Sequence, residues 1–108
     1  MKSNLEKQWE LLLNNLGSKK GEIPNLNTIL FIIGLQELNL EIDCLTKDQK
    51  LEVIHVGLCA IFVSPGYYKL IGRDQDGWLH FKQLKKFPNL NNEDQENSIK
   101  QAIMNYYR

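Results

Sequence analysis

Val53-Ile54-His55-Val56-Gly57-Leu58-Cys59-Ala60-Ile61-Phe62-Val63 is the stretch that decides the fold. Among these eleven residues only His55 has a strongly polar side chain. A surface helix keeps one polar face, so a helix this apolar is expected to be enclosed on nearly every side, by its own domain or by a partner. Upstream, Thr46-Lys47-Asp48-Gln49 has the spacing of a capping box, with Asp48 placed where the helix dipole favours negative charge. Downstream, Ser64-Pro65-Gly66 ends the run, because proline cannot continue the hydrogen-bond ladder. These signals predict a third helix over residues 47–63.

Working outward, Ile29-Leu30-Phe31-Ile32-Ile33-Gly34-Leu35 forms the centre of a second helix that opens at Pro24-Asn25. Leu26, Ile29, Leu30 and Ile33 make one apolar face of it, and Phe31, Leu35 and Leu38 another. Residues 39–45 form a loop with Ile42 and Leu45 turned inward. The first helix, over residues 4–16, starts at the capping box Ser3-Asn4-Leu5-Glu6 and stops at Gly17. Leu5, Trp9, Leu12, Leu13 and Leu16 form its single stripe. After the decisive run, Tyr67-Tyr68-Lys69-Leu70-Ile71 and Trp78-Leu79-His80-Phe81 read as two strands around the turn Asp74-Gln75-Asp76-Gly77. Phe81, Leu84 and Lys85 also have helical spacing, so the second arm has a helical turn as its alternative. Asn91 to Gln95 caps a fourth helix with Ile99, Ala102, Ile103 and Tyr106 in one stripe and Arg108 at its negative end. Burying each Leu, Ile or Phe contributes about 1.5–3 kcal/mol, so two helices with broad apolar faces need cover. The hairpin or a partner, a second copy included, has to complete it.

Length and charge narrow the classes. At 108 residues the chain suits a single domain, residues 1–108, with one core. Thirteen basic and thirteen acidic side chains balance to zero, which argues against a dominant nucleic-acid role, where phosphate neutralisation supplies most of the affinity. No apolar stretch reaches the roughly 18–20 residues of a membrane span, and residues 1–6 lack a signal-peptide core. Two cysteines in that context favour free thiols in a reducing cytoplasm.

Four constellations carry potential chemistry. His55 and Cys59 stand at i and i+4, but zinc takes at least three protein ligands, and neither Cys44 nor His80 has supporting spacing. Asp74-Gln75-Asp76-Gly77 echoes part of a calcium loop, yet Gly72 and Gln83 stand where further ligands belong. Cys44, Cys59, Ser64 and Ser98 are the nucleophile candidates, and His80 near Asp74 and Asp76 is a candidate base with its orienting group. No nucleophile elbow or phosphate-binding glycine loop accompanies them. Helices followed by a hairpin also suggest a winged helix, but the helix before this hairpin is too apolar to read bases. Lys82, Lys85, Lys86 and Arg73 remain candidates for phosphate contact, with Tyr67 or Trp78 stacking on a base. Tyr67, Tyr68, Trp78, His80 and Phe81 form the densest aromatic group, a composition typical of protein-interface anchors. One hairpin face is expected to pack on the helices and the other to remain available.

Gly66-Tyr67-Tyr68 followed by Asp76-Gly77-Trp78-Leu79-His80, together with Leu30 to Leu38, resembles a pattern in small uncharacterised cytoplasmic bacterial proteins of similar length. That family's pattern has proline where Leu79 stands. The resemblance implies a single cytosolic domain and no activity, cofactor or ligand. The expected fold is mainly α, a compact four-helix domain with a small β-hairpin between the third and fourth helices. The expected function is a non-catalytic protein–protein interaction module or accessory subunit, working with a protein partner or as a homodimer. Its candidate contact residues are Tyr67, Tyr68, Arg73, Trp78, His80, Lys82, Lys85 and Lys86. The alternatives are a nucleic-acid-associated factor using the hairpin lysines and, third, a small enzyme or enzyme subunit. No catalytic, metal or cofactor residue is assigned, and no membrane partner is expected.

Overall fold

A computed structural model describes residues 4–15, 25–39 and 45–107. Its elements run α1 (Asn4–Asn15), α2 (Leu26–Leu38), α3 (Lys47–Ile61), β1 (Tyr68–Arg73), β2 (Leu79–Gln83) and α4 (Asn92–Tyr106). The fold is mainly α, with an antiparallel hairpin between the third and fourth helices. The expectations placed on Ser3, Leu16, Gly17, Pro24, Ile42, Cys44 and Arg108 lie outside the described residues. Two compact units divide the chain, one over Leu26–Pro88 and one formed by residues 1–25 with 89–108.

In the Leu26–Pro88 unit, α2 and α3 meet along two glycines. A methyl group at Gly34 would overlap the carbonyl oxygen of Val53, and one at Gly57 would overlap that of Leu30. Residue 34 thus faces 53 while 30 faces 57, so the helices run antiparallel with their backbones in contact. Val53, Val56 and Gly57 are buried on α3, and Ile29, Leu30, Ile33, Gly34 and Leu38 on α2. The capping box forms as its spacing requires: Gln49 N donates to Thr46 Oγ1 at 3.1 Å, and Thr46 N to Gln49 Oε1 at 2.9 Å.

Two expectations for α3 need correction. The helix ends at Ile61 rather than residue 63, where the Phe62 amide turns back to the Cys59 carbonyl at 3.1 Å. The Phe62 carbonyl then accepts from Tyr67 N at 3.1 Å and Tyr68 N at 3.3 Å, starting the hairpin instead of extending the helix. Nor is the run enclosed all round: His55 and Val63 are exposed, Ile54, Leu58 and Ala60 half-buried, and Leu51 one turn earlier is 61% exposed. Once α2 and the hairpin cover Val53, Val56 and Gly57, His55 lies on the opposite side of the helix.

The hairpin packs by its inward side chains. Leu79 joins Leu38, Val53 and Val56 in one buried cluster, with Trp78, Phe81, Phe31, Leu35 and Leu45 against it. The second arm is a strand and not a helical turn; it pairs Leu70 with Phe81 and Tyr68 with Gln83. Between Leu70 and Gly72 the register slips, so Ile71 is the extra residue of a bulge. At the tip, Gly77 takes φ 83°, a left-handed conformation that glycine adopts without strain.

The second unit holds α1 and α4, which pack together. Trp9 is buried on α1, and Lys100 of α4 places its ammonium 5.6 Å from the centre of that ring. Asn91 caps α4, its side chain accepting from Asp94 N at 2.8 Å. Met104 is buried beside Ala102 and Ile103, so the covered face of α4 is broader than the single stripe expected.

Candidate functional site

The hairpin and the residues flanking it carry all eight candidate contact residues, and their surroundings separate them into anchors and outward-facing groups. Arg73 is an anchor. Its guanidinium donates to the carbonyls of Glu37 at 2.9 Å, Leu38 at 3.5 Å and Gly77 at 2.8 Å. The last carbonyls of a helix have no intrahelical donor and carry partial negative charge, so a cation there ties the hairpin to the end of α2. The expectation of phosphate contact did not include these acceptors. Trp78 is half-buried against the Leu38–Val53–Val56–Leu79 cluster, so its ring packs the core.

Asp74 organises the turn. Its Oδ1 accepts from the amides of Asp76 and Trp78, both at 2.9 Å, and its Oδ2 lies 2.8 Å from His80 Nε2. The hydrogen bond to His80, then the Trp78 amide, holds the Asp74 carboxyl below the usual aspartate range. The expected base–orienter pair is thus close in space, with side chains 57% and 38% exposed for His80 and Asp74. Both carboxylate oxygens are engaged in shaping the turn, and neither Ser64 nor Ser98 bonds to it among the described residues.

Tyr67 and Tyr68 sit at the other end of the hairpin. Tyr67 stacks on Phe87 with ring centres 4.7 Å apart, meets Phe62 edge-on, and lies under the Lys85 ammonium at 4.3 Å. Phe87 was absent from the expected aromatic group, yet it also touches Phe62 and Tyr68. Phe87 stands six residues beyond Phe81, the last aromatic of the strand, and no local spacing joins it to the group. Tyr68 is half-buried, and burial, with the neighbouring Cys59 adding to it, raises its hydroxyl above the ordinary tyrosine range.

Cys59 lies 3.5 Å by its sulfur from His55 Nε2, which realises the i, i+4 pair. Burial pushes its thiol up to about 11, with the Tyr68 hydroxyl working weakly the other way. At neutral pH that keeps the group a thiol and not a nucleophilic thiolate. No cluster of three or more metal-ligating side chains occurs among the described residues.

The outward groups line the opposite face. Lys69 stands directly across from Lys82, and His80 across from Gly72. Lys69, His80 and Lys82 are exposed, alternating with the inward Leu79 and Phe81. Lys86 is exposed as well. Sequence reading missed Lys69; the cross-strand register is the signal that pairs it with Lys82. It also missed Leu70, Ile71 and Leu84, which are 47%, 66% and 52% exposed.

No family model matches this chain, and no curated protein or solved structure does either. None of the described helices is long and apolar enough to cross a membrane.

Proposed function

We propose that this chain is a non-catalytic protein-interaction module or accessory subunit whose working surface is the outer part of the hairpin. One observation carries the reading: the hairpin is tied down by Arg73, Trp78 and Leu79 while Ile71, held out on the bulge, is 66% exposed beside Leu70. Bulges re-aim side chains, and exposed apolar groups on a rigid support suit a docking surface. The partner in this reading is another protein or a second copy, and the buried thiol of Cys59 fits a reducing cytoplasm.

Affinity capture from native lysate tests it, using wild type and Ile71→Asp. A recurrent protein recovered by wild type and lost with the variant supports the module. Sedimentation separates the occupants, since a dimer that Ile71→Asp dissociates makes the partner a second copy. RNase-sensitive recovery would transfer the reading to a nucleic-acid-associated factor.

A further inference from the structure

We propose that the outward face of the hairpin receives an acidic, extended segment of a protein partner, gripped by Lys69 and Lys82. This rests on the interaction-module reading and specifies the chemistry of the partner. The register puts the two lysines directly opposite one another, on the side away from Leu79 and Phe81. Like charges facing each other across a strand pair destabilise it. No described carboxylate forms an ion pair with either lysine. Of the two acids in the turn, Asp74 is committed to His80 and to the amides of Asp76 and Trp78, and Asp76 forms no ion pair with either lysine. Carboxylates supplied from outside would relieve the repulsion.

The shape favours an extended segment. The sheet has two strands only, so each has an outer edge without a strand neighbour among the described residues. A segment added along the β1 edge through main-chain hydrogen bonds would present alternate side chains on the face that carries Lys69 beside it and Lys82 one strand farther in. Ile71, exposed at the bulge two residues along from Lys69, offers an apolar contact beside the charged pair. Nucleic acid fits less well. Tyr67 is stacked on Phe87 beneath Lys85, and Trp78 is half-buried against the core cluster, so each ring already has one side engaged within the protein. Two paired lysines on a chain of zero net charge also give few phosphate contacts.

The test is fluorescence anisotropy on the full chain with three labelled probes: an alternating Glu/Val peptide, an alternating Lys/Val peptide of equal length, and an oligothymidylate. Wild type should bind the Glu/Val peptide in preference to the other two. Lys69→Glu with Lys82→Glu should weaken that binding by about tenfold and favour the Lys/Val peptide instead. The uncharged pair Lys69→Gln with Lys82→Gln should lose affinity without that reversal, with circular dichroism confirming that both variants fold. Preference for oligothymidylate, or Glu/Val affinity unchanged by the double reversal, would overturn the proposal. So would self-association of the Gln pair with unchanged peptide affinity, which would make the lysines guards of the strand edges. If lysate capture is lost with Ile71→Asp but survives the charge reversal, the module reading stands and the acidic segment does not.

Discussion

Gly34 and Gly57 set the distance between two helices by lacking a side chain. A methyl at either position meets a carbonyl oxygen of the facing backbone, which no rotamer change can relieve. Gly57→Ala should therefore destabilise the protein by about 3 kcal/mol or more, despite the better helix propensity of alanine, as read by urea denaturation. An unchanged midpoint would mean the helices can separate freely. At Arg73 the expected loss is about 1–2 kcal/mol on mutation to alanine, since three backbone carbonyls lose a charged donor. Lysine should restore only part of it, because one ammonium cannot reproduce the fork of the guanidinium.

Asp74 gives a pH signature of known sign. Its carboxyl is held below the usual aspartate range, so it stabilises the folded state above that range and stops doing so as pH falls through the folded value. Asp74→Asn should lower the urea midpoint at pH 7, and the gap to wild type should close in acid below the ordinary aspartate range. A gap that persists there would assign the loss to the altered turn and not to charge.

Among the elements, α3 and the hairpin show what residue order can and cannot convey. The start of α3 was readable because Thr46 and Gln49 satisfy each other's backbone within four residues. Thr46→Ala should accordingly cost about 1 kcal/mol in thermal or urea denaturation. The end was misplaced by two residues because Phe62 and Val63 are as apolar as the helix before them; the Phe62 carbonyl is taken by Tyr67 and Tyr68. The hairpin turn was readable from Asp74 to Gly77, where all the chemistry is local. Arg73 was not, because its decisive acceptors lie 35 and 36 residues away. Likewise Lys69 acquires meaning only from the register that sets it against Lys82. Of the expected contact residues, Trp78 also packs against the core cluster; Trp78→Ala should cost roughly 2–3 kcal/mol, less than a fully buried tryptophan, as read by urea denaturation.

At the scale of the molecule, apolar surface is distributed unevenly. Leu79 is the one hairpin residue that is fully covered among those described, while Leu70, Ile71, Leu84 and Phe87 remain open by 38% or more. The expected problem of covering two apolar helices is met in part by the helices themselves, through the glycine contact, and the hairpin adds its inner face. Open apolar side chains also occur at Leu51 and Val63 beside the decisive run, but on the hairpin they are contiguous in sequence at Leu70 and Ile71.

The division of the chain has a consequence for its synthesis. The Leu26–Pro88 unit is continuous, whereas the other joins α1 to α4 across that whole interval. A ribosome releases residues in order, so the continuous unit has its complete sequence outside the tunnel while α1 still waits for α4. Closing the longer interval also costs more chain entropy, which places it later on topological grounds. Until then, the apolar side of α1 around Trp9 is without its native cover, a window in which a nascent-chain chaperone would find its target on that helix.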